Sequence, residues 1–231
     1  MTKPKIYDII VLHRVGGDCV EDASVNKRII NEIIPQIKKV RELKGEYRNN
    51  NEKFGSKMLG NIIANTIRDY IQNIINYYNL DYSVSLNNAF IDGYPIEWDL
   101  IIFDKALLPK NNIIDPTKVK AVIEFKTSGT IDVLYNKRSK EEFLEQTFGK
   151  AFETVKKMEQ EVHHKINFGY ITFSTEIDWF KATKEYFDKH NEIENTAFAF
   201  LDDKELEKGN IVAVEGCAEF EKYLFNLLGD R

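Results

Sequence analysis

Two acidic residues and one lysine interrupt the apolar strands that the sequence predicts between residues 94 and 128. Asp99 lies within the first apolar run, WDLIIF, and Glu124 lies within the second, KAVIEF. Because side chains alternate across a strand, Glu124 and Lys126 share one face of the second strand. An unpaired carboxylate is costly to bury, so a cation or a metal ion is expected to compensate these charges. The pattern therefore predicts a cation site at Asp99, Glu124 and Lys126.

A weaker interpretation treats Glu124 and Lys126 as an ion pair on a solvated strand face, which contributes little to stability. The Glu-x-Lys motif alone does not decide between the two, because Glu42-Leu43-Lys44 matches it as well. Apolar residues flank Glu124 on both faces of its strand and indicate burial. The cation site is therefore favoured, and the surface ion pair stays open as the alternative.

An Asp on one strand followed by Glu-x-Lys on the next resembles the PD-(D/E)xK nuclease superfamily. The proline of the family pattern is absent beside Asp99. The resemblance implies hydrolysis of phosphodiester bonds, with Asp99, Glu124 and Lys126 as catalytic residues. Asp99 and Glu124 would ligate Mg²⁺, for which Mn²⁺ substitutes, together with the backbone carbonyl of Phe125. Glu52, near the start of the first core helix, is a further candidate ligand, but it equally suits a first-turn acid that the helix dipole favours.

The resemblance also implies a biological role and partners. It points to a Mg²⁺-dependent endonuclease that cuts double-stranded DNA in defence against foreign DNA. Two branches fit: a restriction endonuclease, and an effector nuclease that a cyclic oligonucleotide switches on. The implied partners are double-stranded DNA, further copies of the chain in a homo-oligomer and, in the effector branch, a nucleotide second messenger. A repair or recombination nuclease of the same fold and a non-catalytic DNA- or nucleotide-binding module stay open as alternatives.

The composition is that of a globular protein, with 43% hydrophobic and 30% charged residues. A chain of 231 residues can bury one sizeable core, so we interpret residues 1–231 as a single nuclease domain with 1–50 as a helical N-terminal extension. No apolar run approaches the roughly 20 residues of a membrane span. The lack of such a run predicts no membrane association, and Cys19 and Cys217 form no motif, which favours a reducing cytoplasm.

The net charge of −5 does not favour binding to nucleic acid, so contacts with phosphate must depend on local patches. Lys137, Arg138 and Lys140 form one basic patch and are the predicted DNA-binding residues. A second basic patch lies between residues 38 and 48. Solvated helix ends explain both patches about as well.

The predicted elements have the order expected of a restriction-endonuclease-like core, an α/β fold with a mixed central sheet flanked by helices. Apolar residues recur at helical spacing in four segments, and alternating or continuous apolar runs predict the strands. The helices are predicted at about 24–44, 52–78, 140–162 and 218–228. The strands are predicted at about 81–91, 98–103, 120–125, 167–173 and 196–201, with a tight turn at Asp92-Gly93.

Overall fold

A computed structural model of the chain describes residues 56–106, 109, 111–126, 139–173, 177–200, 220 and 222–229. The helical extension predicted for residues 1–50 lies outside the described residues, and so do Glu52, Lys137 and Arg138. The basic patch between residues 38 and 48 lies outside them as well.

The described helices are α1 at Ser56–Tyr77, α2 at Lys140–Leu144, α3 at Lys150–Val162 and α4 at Ile177–Lys189, and residues 222–228 form a further helix, α5. A π-helical turn at Glu145–Gly149 joins α2 to α3, so the segment predicted as one helix is continuous. At its start, the Ser139 side chain accepts a hydrogen bond from the Glu142 N–H, and the Glu142 carboxylate accepts one from the Ser139 N–H. This reciprocal cap satisfies two N–H groups that the helix itself leaves without acceptors. None of the described helices is both long and apolar enough to cross a membrane.

The described strands form two sheets. The strands are β1 at Tyr82–Val84, β2 at Ala89–Ile91, β3 at Glu97–Trp98, β4 at Leu100–Asp104, β5 at Ile113–Ile114, β6 at Val119–Lys126, β7 at Asn167–Phe173 and β8 at Asn195–Phe200. The main sheet has the order β1-β4-β6-β7-β8, and the smaller one has the order β3-β2-β5. In the main sheet β4 runs antiparallel to both of its neighbours, β1 and β6, whereas β6, β7 and β8 run parallel to one another. The helix through α2 and α3 provides the crossover that a parallel β6–β7 pair requires.

Helices cover both faces of the main sheet. On one face, Ile71 of α1 and Leu224 of α5 lie in one buried cluster with Ile123 of β6. On the other face, Phe152 of α3 belongs to a second buried cluster that includes Val122 of β6. Neighbouring residues of β6 therefore enter opposite cores, as the alternation of side chains along a strand requires. The predicted fold class, α/β with a mixed central sheet flanked by helices, is confirmed.

The structure differs from the sequence-based expectation at the first site strand. WDLIIF is not one strand: Trp98 pairs with Ala89 in the smaller sheet, whereas Leu100 pairs with Ile123 in the main sheet. Asp99 lies at the break, and its carboxylate accepts a hydrogen bond from the Phe125 N–H. A side chain that bonds to a backbone group in this way competes with the regular ladder of the sheet.

Three further elements were not predicted. The connection between β4 and β6 contains β5 and a 3₁₀ turn at Pro116–Lys118, where a polar loop was expected. Asp115 caps that turn by accepting a bond from the Thr117 N–H at 2.9 Å. Helix α4 follows β7 and carries the buried residues Thr183, Tyr186 and Phe187, whose spacing places them on one helical face.

Candidate active site

Asp99 is held at the point where the chain leaves the smaller sheet and enters the main one. Its Oδ2 accepts a hydrogen bond of 2.6 Å from the N–H of Phe125 in β6. Its backbone carbonyl accepts a bond of 3.3 Å from the N–H of Asn88, in the connection between β1 and β2. The side chain is half-buried. Bonds to an ionised carboxylate are short and strong, so the bond from Phe125 holds Asp99 beside β6.

Glu124 lies directly beyond the last paired residues of β4 and β6. The ladder between these strands ends with Leu100 opposite Ile123, and the next residue on each strand is Asp99 and Glu124. Glu124 is half-buried and pairs on its other side with Tyr170 of β7. The structure thus brings Asp99 and Glu124, which the sequence places on separate strands, to neighbouring positions at one end of the main sheet.

Of the other predicted site residues, the structure describes Lys126, Phe125 and Lys140. Lys126 is the last residue of β6, two positions after Glu124 and opposite Thr172 of β7. Its catalytic role stays a prediction, as does metal binding by the backbone carbonyl of Phe125. Lys140 is an exposed residue at the start of α2. The predicted metal ligand Glu52 and the predicted DNA contacts at 137 and 138 lie outside the described residues.

The two carboxylates suit a hard cation. Mg²⁺ prefers oxygen ligands and keeps several of its own waters, so one or two protein carboxylates are enough to hold it. A structural zinc site instead needs four ligands rich in Cys and His. Across the described part of the chain, no group of three or more Asp, Glu, His or Cys side chains could hold a metal ion. Asp99 and Glu124 offer the oxygen ligands that Mg²⁺ takes, and metal binding by them stays a prediction.

A buried tyrosine adjoins Glu124 on the side of β7. The pKa of Tyr170 is raised to about 12, first because burial removes water from the phenol and further because of the negative charge of Glu124. A hydrogen bond with the Thr172 side chain lowers it in part. The Tyr170 ring packs edge-on against Phe148, with 4.9 Å between ring centroids. Tyr170 is therefore protonated at physiological pH in the metal-free protein.

Sequence reasoning missed the groups that surround the two carboxylates. The bond from Phe125 to Asp99 joins residues 26 apart in the chain, and no local pattern predicts it. Asn88 and Asn112 adopt left-handed backbone conformations, with φ of 57° and 60°. Asparagine tolerates this conformation better than most residues, so the Asn-Asn pairs at 87–88 and 111–112 were signals for turns. Nothing in the sequence indicated that these turns adjoin Asp99.

A groove of about 1040 Å³ lies at the opposite end of the main sheet, where β4 ends and β6 begins. The charged residues of its lining are Lys105, Lys118, Lys120, Lys165, Asp81 and Asp104. Lys118 lies 3.7 Å from Asp104, and Lys165 lies 3.5 Å from Glu159. Lys105 and Lys120 form no ion pair with any described residue. The groove is therefore locally basic on a chain whose net charge is −5.

Comparisons with known proteins find similarity only to solved structures. No protein-family model matches the sequence, and no curated protein matches it. NucC of P. aeruginosa ATCC27853 in its cAAA-bound form is 15% identical, with a TM-score of 0.41, over 77% of this chain and 67% of that one. NucC of E. coli MS115-1 in its cAAA-bound form is 15% identical, with a TM-score of 0.40, over 82% of this chain and 70% of that one.

Proposed function

We propose that this protein is a metal-dependent endonuclease that hydrolyses phosphodiester bonds of double-stranded DNA, in defence against foreign DNA. The observation that supports the proposal is the meeting of Asp99 and Glu124 at one end of the main sheet, with Asp99 anchored by the 2.6 Å bond from the Phe125 N–H. Lys126 follows Glu124 by two positions on the same strand. Two carboxylates and a lysine in this order are the residues that the resemblance to PD-(D/E)xK nucleases requires.

Each residue has a distinct task in the proposed reaction. Asp99 and Glu124 would hold Mg²⁺ through carboxylate oxygens, and the Phe125 carbonyl would be a third protein ligand. When bound, the metal supplies Lewis-acid activation of the phosphate and of a water molecule. The bond from the Phe125 N–H restricts the orientation of Asp99, so the ligand set is partly organised before the metal arrives. Lys126 donates hydrogen bonds through Nζ to the phosphate oxygens, where negative charge increases in the transition state.

The proposed assembly follows from the number of sites that cutting a duplex requires. Cutting both strands of a duplex needs two sites that face opposite strands, and each chain carries one Asp99–Glu124–Lys126 set. A symmetric homo-oligomer is the economical source of the second site. Lys137, Arg138 and Lys140, which follow β6 in the chain, are the proposed contacts to the DNA backbone.

The test is cleavage of supercoiled plasmid with Mg²⁺, with Mn²⁺ and with EDTA. Asp99→Asn and Glu124→Gln remove one charge each and should abolish cleavage. Matched controls are Asp92→Asn, in the exposed turn after β2, and Glu153→Gln, on the exposed face of α3, which should cut like the wild type. Metal-independent cleavage, or wild-type activity of Asp99→Asn, would overturn the proposal.

Three further measurements separate the alternatives. Competition with RNA and with single-stranded DNA tests the substrate, because the proposal expects a preference for duplex DNA. Binding to DNA without cleavage, under every metal tried, would favour the non-catalytic binding module. Preferred cleavage of branched or damaged duplexes would favour a repair or recombination nuclease.

We also propose a nucleotide activator, which belongs to the effector branch of the resemblance. The basic groove at the other end of the main sheet supports the proposal, because its lysines suit phosphate groups. Calorimetric titration with cyclic di- and trinucleotides would test it. Lys105→Ala and Lys120→Ala should weaken binding, whereas Lys150→Ala, an exposed lysine of α3, should leave it unchanged. Full activity with no nucleotide present would favour a restriction endonuclease instead.

A further inference from the structure

The backbone of Asp99 is supported by the loop of residues 86–88, which joins β1 to β2. The N–H of Asn88 donates to the carbonyl of Asp99 at 3.3 Å. Next to this loop, Ser85 is buried and fixes the strand that follows Asp99. Its N–H donates to the Ile101 carbonyl, and its Oγ accepts from the Ile101 N–H, both at 2.9 Å. The position of Asp99 therefore depends on where the 86–88 loop lies.

One side chain from a distant part of the sequence holds that loop. Nδ2 of Asn112 lies 3.3 Å from the carbonyl oxygen of Leu86, 3.1 Å from that of Asn87 and 3.2 Å from that of Asn88. An amide nitrogen carries two N–H groups, so the three carbonyls share them. The Asn112 carbonyl also accepts a bond of 3.1 Å from the Phe90 N–H, which fixes the backbone of Asn112 against β2.

We propose that Asn112 is a positioning residue for Asp99. The connection runs from the Asn112 amide to the carbonyls of the 86–88 loop, and from the Asn88 N–H to the Asp99 carbonyl. This inference rests on the proposed function, in which Asp99 and Glu124 must meet at one metal ion. Coordination of Mg²⁺ tolerates little error in ligand position, and partners outside the ligand shell typically change metal affinity by about 10- to 100-fold.

The adjacent asparagine provides a matched control. Asn111 and Asn112 both have left-handed backbones, with φ of 55° and 60°. Glycine adopts this conformation freely, so Asn111→Gly and Asn112→Gly make the same kind of change to the backbone. Asn111 is exposed, and its side chain makes no hydrogen bond with the described residues. Only Asn112→Gly removes the contacts to the 86–88 loop.

The experiment measures Mn²⁺ affinity by calorimetry without DNA, at a temperature where circular dichroism shows each variant folded. We expect Asn112→Gly to bind Mn²⁺ about tenfold more weakly than the wild type, and Asn111→Gly to bind like it. Hydrogen exchange at the backbone amide of Asn88 should be faster in Asn112→Gly than in the wild type and in Asn111→Gly. A general loss of stability would instead speed exchange throughout the protein. Asn112→Asp keeps the size and suits a left-handed backbone. Because the Asp carboxylate has no N–H groups to donate to the 86–88 carbonyls, Asn112→Asp should weaken Mn²⁺ binding as well. It replaces the glycine variant if that variant does not fold.

The outcomes separate this inference from the proposed function. If the wild type binds Mn²⁺ but Asn112→Gly and Asn112→Asp bind it equally well, the positioning role is wrong and the proposed function stands. Equal weakening in Asn111→Gly and Asn112→Gly would also overturn the positioning role. If the wild type binds no Mn²⁺ and cuts no DNA, the proposed function fails and this inference fails with it.

Discussion

Replacing Asp99 by Asn or by Ala separates its role in the fold from its role in metal binding. Both changes remove the negative charge, so any relief of repulsion with Glu124 in the metal-free protein is the same for the two variants. They differ at the 2.6 Å bond from the Phe125 N–H. Asn keeps an oxygen that can accept this bond, whereas Ala leaves a part-buried N–H without an acceptor.

The expected magnitude follows from that bond. An unsatisfied buried donor costs about 1–3 kcal/mol, and a neutral acceptor retains about half the strength of a charged one. We therefore expect Asp99→Ala to be less stable than Asp99→Asn by about 1–2 kcal/mol. In a chain of this size that difference corresponds to roughly 2–8 °C in Tm.

Thermal unfolding with and without Mg²⁺ measures both roles. A ligand that binds only the folded state at about 100 times its Kd stabilises that state by about 2.7 kcal/mol, so the wild-type Tm should rise with added Mg²⁺. Neither Asp99 variant should show this rise, and neither should cut DNA. Equal Tm values for the two variants would refute the structural importance of the Phe125–Asp99 bond. A normal Mg²⁺ response in Asp99→Asn would refute metal binding by Asp99.

Three further predictions concern other parts of the molecule. Lys126→Ala should retain the Mg²⁺-dependent rise in Tm, but its cleavage rate should fall by about 10²–10³-fold, as it does in other enzymes that lose one transition-state donor. The absence of the Mg²⁺-dependent rise in Lys126→Ala would contradict this prediction. Tyr94 donates a hydrogen bond to Glu161, and its pKa is raised from 10.0 to about 12, mainly by burial and then by that carboxylate. The protonated Tyr94 side chain contributes its full stabilisation below pH 10, and this stabilisation is lost as the pH rises through about 12. The free energy of unfolding of the wild type should therefore fall more steeply in this pH window than that of Tyr94→Phe, as measured in parallel denaturant titrations. Light scattering at micromolar concentration should show a homo-oligomer, and a monomer that makes double-strand breaks in one binding event would exclude the two-site arrangement.

The sequence by itself determined the elements whose signal is local. The segment 167–173 was predicted as a central strand, and β7 occupies Asn167–Phe173. The first core helix was predicted at 52–78, and α1 occupies Ser56–Tyr77 within the described residues. Apolar residues at period 3.6 or in a continuous run carry such information without reference to other segments. Helix α4 carried the same kind of signal, since its buried residues lie at helical spacing, and its omission was an error of interpretation.

The tertiary structure alone decided how the candidate site is assembled. The sequence placed Asp99 within one strand, but the chain changes sheets there, because Trp98 and Leu100 pair with different strands. The register that sets Asp99 beside Glu124 depends on both strands at once, and shifting either by one residue would turn its side chains to the opposite face. The support from Asn112 reaches the 86–88 loop across 24 to 26 residues of sequence. Contacts at such separation form only when the whole sheet is in register, so no local pattern of residues can specify them.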